Sequence, residues 1–346
     1  MPTCFGVNSK RRERPEPTVG VLTSIETERQ VELPDSCRHV TWVGPRVLAA
    51  CDDGSLLIDE HPSGALLPLA QLDSPPTSLS SDTLHVACGA LDGSLFVSSL
   101  SEPKLRFPRR VGAVAHVGAR LVVANGRDVE VLTGPRSEPI DLDIGVVTGI
   151  ASVTGVMTAI AGCEGLAWYD VSSQVSDGRI ELPTVVAIAA DPRGRCVALG
   201  DLGGSVHVVT AGTEEAVELT GFPDRVSLLG WVSSGSALCV IADDELTVWD
   251  ADDDGLIRHD QPHQMIAHHV MVTALAPAPS DQLIATGDAS GIVHVWSPTL
   301  VDLPVATLTA RGTVLALAWR PDGRALAITT ASGELTIVSV RSGRLA

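Results

Sequence analysis

Aromatic residues are scarce in this chain. Tyrosine occurs once, phenylalanine four times and tryptophan six times, 3% of 346 residues in all. The core must therefore be built from Val, Leu, Ile and Ala, which suits regular sheets pressed closely together and disfavours an aromatic-filled pocket. Long apolar runs are absent too. No stretch reaches the roughly 18 residues of a membrane span, so none is expected. The opening MPTCFGVNSKRRERPEP has no apolar stretch before a small-residue cleavage site, so it does not read as a secretory signal. Residues 1–17 are expected to be a disordered, Arg-rich tail. The seven cysteines, at 4, 37, 51, 88, 163, 196 and 239, form no CxxC pair. Reduced thiols and a cytoplasmic location follow as expectations. Lysine is nearly missing beside arginine while Ala, Gly and Val abound, a composition that points to a GC-rich, bacterial genome. Basic charge is also short, with 24 bases against 42 acids and a net charge of -18. Such a surface repels phosphate backbones and anionic membranes and is compatible with a basic protein partner.

What the chain does have is a repeat. An apolar run is followed by a turn, a second apolar run, a tight acidic or Gly-containing hairpin, and a third, alternating run. The clearest copies are Val314–Val340, Val272–Trp296 and Val185–Val209. Weaker copies begin near His39, Thr77, Val111, Val147 and Val226. Pro321-Asp322-Gly323 and Ser332-Gly333 are turn signals of the kind this layout needs. Each unit but the last has a fourth apolar stretch before the next unit begins, as in ALLPLA at 65–70 and VATLT at 305–309. The last unit lacks one, and RQVELP at 29–34 has the look of the missing strand. The pattern predicts an all-β ring of four-stranded antiparallel blades. An N-terminal strand pairs with the C-terminal blade and closes the sheet edge. Eight blades fit best and seven are the alternative. The ring spans residues 18–346 as a single domain, expected to be monomeric. Residues 19–25, VGVLTSI, form a further strand-like run without an assigned place.

These units resemble the WD-repeat family. The residues that carry the resemblance are the Pro-Asp-Gly turn after Trp319, Leu246–Asp250 with its Trp249-Asp250 pair, and Val293–Trp296. Tyr169-Asp170 and Ile58-Asp59 look like degenerate versions of the pair. The resemblance implies a hydrogen-bonded set of His, Ser or Thr, Asp and Trp in each good repeat. Here it points to His269, Thr286 and Trp296, with Ser290 standing where the hairpin Asp is expected.

A catalytic propeller would need carboxylates or a polar cofactor bed on its innermost strands. Those strands hold almost no acids, with Asp191 at one end. No phosphate-binding Gly loop and no GxSxG elbow occur. The chain is therefore expected to be a protein-interaction scaffold without cofactor, and not an enzyme, with a protein partner and neither nucleic acid nor membrane. The rival reading is a propeller enzyme or metal-binding protein using the His259–His269 loop, with His259, His263 and His268 as candidate ligands. Cys51, Cys88, Cys196 and Cys239 read as buried small hydrophobes. Ten acids recur in the second hairpins: Asp52, Asp53, Asp92, Asp128, Glu164, Asp201, Asp243, Asp244, Glu245 and Asp288. They read either as turn formers or as a negative rim that meets a partner.

Overall fold

A computed structural model of the chain describes residues 20–60, 64–100, 104–255, 257, 262–280, 283–297 and 303–344. The proposed tail at 1–17 lies outside the described residues. The described strands form eight four-stranded antiparallel sheets. They occupy residues 37–71, 76–106, 113–140, 147–180, 185–219, 226–265, 272–309 and 314–344, the last joined by 20–32. The first strand of each sheet packs on the first strands of both neighbours, and the series returns from the eighth sheet to the first. The sheets are thus eight blades of a propeller with their first strands innermost, and the seven-bladed alternative falls. Strand direction alternates within a blade. The hairpin between second and third strands therefore emerges at the same end as the connection to the next blade. These segments make one face, called here the hairpin face. The turns after the first and third strands make the reverse face.

Position in the blade explains the apolar patterning. Second strands such as Ala237–Ala242 and Ala325–Thr330 are buried along their whole length, because neighbouring blades cover both sides. Cys51, Cys88, Cys196 and Cys239 are buried in these strands, as their residue type suggested. Outer strands such as Arg136–Ile140 are largely exposed. Small residues set the spacing. A Cβ on Gly200 or Gly287 would come within 2.7 or 2.5 Å of Val226 or Val314 in the next blade. Tryptophans at the ends of three inner strands staple blades together. The indole N–H groups of Trp42, Trp231 and Trp319 donate to the carbonyls of Ala318, Ala189 and Ala276 in the preceding blade, at 2.9, 3.2 and 2.8 Å.

Closure is made by the strand Gly20–Glu32, which pairs antiparallel with Glu334–Arg344 from Gly20 opposite Arg344 to Glu32 opposite Glu334. The unplaced run at 19–25 is explained by this register, since Gly20–Ile25 is the first half of the same strand. Arg29 extends the closure to blade 1, where its Nη1 reaches Asp59 Oδ1 at 3.1 Å and also donates to the Gly64 carbonyl. Removal of residues 1–33 should strip the edge of blade 8 and cost several kcal/mol, read as a fall of roughly 5–15 °C in melting temperature. Removal of residues 1–19 should leave the transition in place. Equal melting of the two truncations would show that the strand does not close the ring.

Candidate functional site

Blade 7 holds a complete hydrogen-bonded chain across the hairpin face. It starts in the connection from blade 6, where His268 is 2% exposed. One ring nitrogen, Nδ1, lies 2.7 Å from Asp288 Oδ2 in the hairpin. The other, Nε2, lies 2.7 Å from Thr286 Oγ1 on the second strand. Trp296 on the third strand donates its indole N–H to the same hydroxyl at 2.7 Å. Asp288 also accepts from the Ser290 amide, the Ser290 hydroxyl and the Ile292 amide, closing its own hairpin. Burial by itself would raise the Asp288 pKa. The His268 and Ser290 bonds and the Ile292 amide outweigh it and hold the carboxyl below its usual range.

This geometry corrects the sequence assignment at two points. The network histidine is His268, and His269 faces solvent. The network acid is Asp288, two residues before the Ser290 that was aligned with it. The Trp249-Asp250 pair lies in a different blade and joins no such network. Trp249 donates to Thr247 at 3.2 Å and packs beside Phe222, while Asp250 is mostly exposed. Blade 6 has Asp243 at the hairpin but no histidine in the connection at 220–225 to bond it.

The other hairpin acids fall into three groups. Asp53, Asp92 and Asp201 are turn formers. Asp53 accepts from the Ser55 amide and hydroxyl at 2.9 and 2.6 Å. Asp92 accepts from Ser94 and Ser74 and pairs with Arg106 at 2.8 Å. The Ser94 hydroxyl leads the groups that depress its pKa. Asp201 is buried, with the Ser205 amide at 2.9 Å and His207 Nε2 at 3.0 Å. Asp52, Asp128 and Glu164 face arginines instead, at 3.0 Å from Arg38, 3.6 Å from Arg109 and 3.9 Å from Arg127. Asp243 is exposed at a left-handed turn position, φ 56°, and Asp244 and Glu245 beside it are half-buried.

Two family models match the chain. One is the WD domain, G-beta repeat, over residues 260–297, the segment that contributes all four network residues and blade 7's first three strands. The other is the anaphase-promoting complex subunit 4 WD40 domain, over residues 294–346. This β-propeller matches WD40-type models over its last two blades. Its fold is similar to the crystal structure of the computationally designed Ika8 protein. The TM-score is 0.76 at 16% identity, with 93% of this chain and 99% of that one covered. At that identity the likeness concerns the fold alone.

In this propeller His263 and His268 of the histidine cluster are separated by the outer strand of blade 6. His259 lies outside the described residues. His263 is on the outer strand, exposed, 3.9 Å from Asp250. His268 is past that strand's far end, with both ring nitrogens engaged. Among the described residues no group of three or more His, Cys, Asp or Glu is arranged to hold a metal. Asp191, the acid noted on an inner strand, is buried and held bidentately by Arg195 at 2.7 and 3.0 Å. No helix among the described residues is long and apolar enough to cross a membrane.

The hairpin face also carries exposed aliphatic side chains. Leu91 and Leu202 sit at hairpin tips, 53% and 56% exposed, and Val146 and Met271 end connections, 44% and 48% exposed. The four fall at two positions of the blade that are hydrogen-bonded partners of one another. The hairpin-tip amide donates to the carbonyl just before the inner strand: Leu91 to Pro75, Cys163 to Val146, Leu202 to Thr184 and Ala289 to Met271. These side chains therefore surround the inner end of the face. A groove of about 530 Å³ runs beside Val146 and Val186, with Arg109 and Arg110 along it. Sequence reading attended to the acids and passed over these residues. The signal was a Leu in LDG and DLGG, where a polar tip residue is usual.

Two stability tests follow. Thr286→Val keeps the shape of the network's centre but leaves the His268 and Trp296 nitrogens without it. At about 1–3 kcal/mol per stranded buried group, a loss of about 2–4 kcal/mol in a urea titration is expected. A loss below that of an exposed Thr→Val change, such as at Thr154, would count against the network. The second test is pH. Burial lowers the pKa values of His39, His116 and His294 below the usual 6.5. The unfolded chain thus takes up protons that the fold resists. Stability should be level above pH 6.5 and fall below it, buried His294 contributing a slope of at most about 1.4 kcal/mol per pH unit. Asp201 and Asp288 have lowered values, so their contribution persists above about pH 4 and is lost below it. Melting curves from pH 3 to 8 read both falls, and His294→Gln should flatten the upper one.

Proposed function

We propose that this WD40 propeller is a scaffold that presents its hairpin face to a protein partner. Propellers of this family generally serve as protein-interaction platforms. The carrying observation is the set of aliphatic side chains Leu91, Val146, Leu202 and Met271, about half exposed at hairpin tips and at the connections bonded to such tips, around the inner end of one face. Apolar anchors inside a charged margin are the usual anatomy of a docking surface. The margin here is acidic. Asp73, Asp143 and Glu181, in connections between blades, expose 74%, 88% and 88% of their side chains. Together with the net charge of -18 they favour a partner with an apolar centre and a basic border. The exposed hairpin acid Asp243 adds to this margin, whereas Asp52 and Asp128 are paired with Arg38 and Arg109, and Asp53, Asp92, Asp201 and Asp288 are committed to their own turns.

The test compares two faces. A Leu91→Glu, Leu202→Glu variant should lose the partner captured by the wild-type chain. Leu84→Glu, on the reverse face, should retain it. Cross-links to the partner should map to the connections and hairpins. For the charged margin, association should slow as salt is added, since the screening length falls to about 10 Å at 0.1 M. Loss of the partner in the Leu84 variant alone would move the docking surface to the reverse face.

A further inference from the structure

Positive charge is concentrated in one part of the chain. Residues 104–136 carry seven bases and two acids, whereas over the whole sequence acids outnumber bases 42 to 24. Two of these bases, Arg109 and Arg110, line the groove beside Val146 and Val186 on the hairpin face. Arg110 ends the connection into blade 3, as Val146 ends the one into blade 4. The residues that follow fix the correspondence between blades. Val111, Val226 and Val314 each lie where a Cβ on a glycine of the preceding blade would be, against Gly89, Gly200 and Gly287. Of the eight residues that end connections in this way, two are arginines, Arg110 and Arg225, and none is an acid. This innermost ring of the face holds positive charge alone, inside a margin that is acidic.

Both arginines of the groove are available to a ligand. Arg110 is exposed and has no hydrogen-bond or ion-pair partner among the described residues. The side chain of Arg109 lies over the blade 3 hairpin, where a Cβ on Gly126 would meet its Cδ at 3.2 Å and its Nη1 at 3.6 Å. Its ion pair with Asp128, at 3.6 Å, joins two side chains that are each more than half exposed. Such a pair contributes little, so an incoming carboxylate can share the guanidinium fork or replace Asp128 on it. Across the groove Val146 and Val186 present exposed methyl groups, and Gly112 and Gly126 contribute no side chain. No acid is among the described residues that line it. A basic side chain entering here would be repelled. Nucleic acid would meet no aromatic stacking platform in the groove and an acidic margin around it. Carboxylates set beside aliphatic side chains satisfy both walls, the first with charge-assisted hydrogen bonds and the second by burial.

We propose that this groove receives an acidic, aliphatic segment of the partner protein, with Asp or Glu carboxylates on Arg109 and Arg110 and with Leu, Ile or Val on Val146 and Val186. The volume of about 530 Å³ is that of a small ligand site, so a short extended segment fills it and a folded domain does not. The proposal rests on the hairpin face being the docking surface, and it adds a polarity to that face. A partner whose negative segment lies along blades 3 to 5 and whose basic border meets the acidic margin has one favoured rotation about the propeller axis.

The test is selection of random dodecapeptides displayed on phage against the full chain, followed by synthesis of the enriched peptides and measurement of their affinities by fluorescence anisotropy. Enrichment of Asp or Glu beside Leu, Ile or Val is expected. Those peptides should bind the Arg109→Gln, Arg110→Gln double variant at least about tenfold more weakly, the worth of one charge-assisted hydrogen bond. Arg110→Gln alone should weaken them by a smaller factor and leave the melting temperature unchanged, since this side chain has no partner to lose. Val186→Glu should abolish binding. Reversal of both charges, to Glu, should shift the enriched peptides from acidic to basic. Enrichment of no peptide, or acidic peptides that bind the double variant as tightly as the wild type, overturns the proposal. Basic peptides that are lost with Leu91→Glu, Leu202→Glu and kept by the arginine variant would overturn it while leaving the docking face in place. Peptides lost with Leu84→Glu alone would overturn the docking face as well.

Discussion

A β-sheet carries unpaired N–H and C=O groups along its edges, and the last blade of this propeller leaves the chain's own C-terminal run one strand short. That edge is covered by a strand from the other end of the sequence. Gly20–Glu32 runs beside Glu334–Arg344 for almost its whole length. Beside this pairing lies the hydrophobic seam between blades 8 and 1, where Leu33, Cys37 and Trp42 meet Ala325, Leu335 and Ile337. Every other blade is a local meander, closed by contacts near in sequence. The ring as a whole depends on this one long-range pairing, with its loop-closure entropy spanning nearly the full chain.

Once the ring is closed, equivalent loops of every blade are brought to one face, and the chain uses them in two ways. Some hairpin residues hold the structure: Asp288 with His268, Asp201 with His207, and Asp92 with Ser74 all tie a hairpin or its connection in place. Others face outward without an evident structural task, above all Leu91, Leu202 and Met271. An acid in a tight hairpin satisfies amides that water would otherwise serve, so its presence says little about partners. A half-exposed leucine at a hairpin tip has no such local use. The apolar residues, more than the acids, therefore distinguish the face proposed for docking.

The Trp-Asp dipeptide and the hydrogen-bonded network that gives such dipeptides their meaning are in different blades. Trp249-Asp250 has no buried histidine to complete it, while Trp296, followed by Ser297, sits in a complete network with Thr286, Asp288 and His268. The physical requirement is a buried hydroxyl between two ring nitrogens and an acid to fix the imidazole. That requirement is met by residues from three separate segments, and no dipeptide encodes it.

The repeat, the all-β class, the eight blades and the closing strand were legible in sequence, because strand burial imposes apolar runs and turns at a fixed spacing. Strands covered on both sides read as continuous apolar stretches, and hairpins read as Asp-Gly and Ser-Gly pairs. A missing fourth strand at one end and an orphan strand at the other stated the closure. Residues 19–25 could not be placed, since bulges between Leu22 and Ser24 and between Thr27 and Arg29 break the alternation of one long strand into two apparent runs. Tertiary structure alone decided the rest. Whether His268 or His269 enters the network depends on which ring the connection turns inward. Whether Asp92 or Asp243 is free depends on nearby serines and arginines from other segments. In both cases the outcome is a property of surroundings and not of residue type.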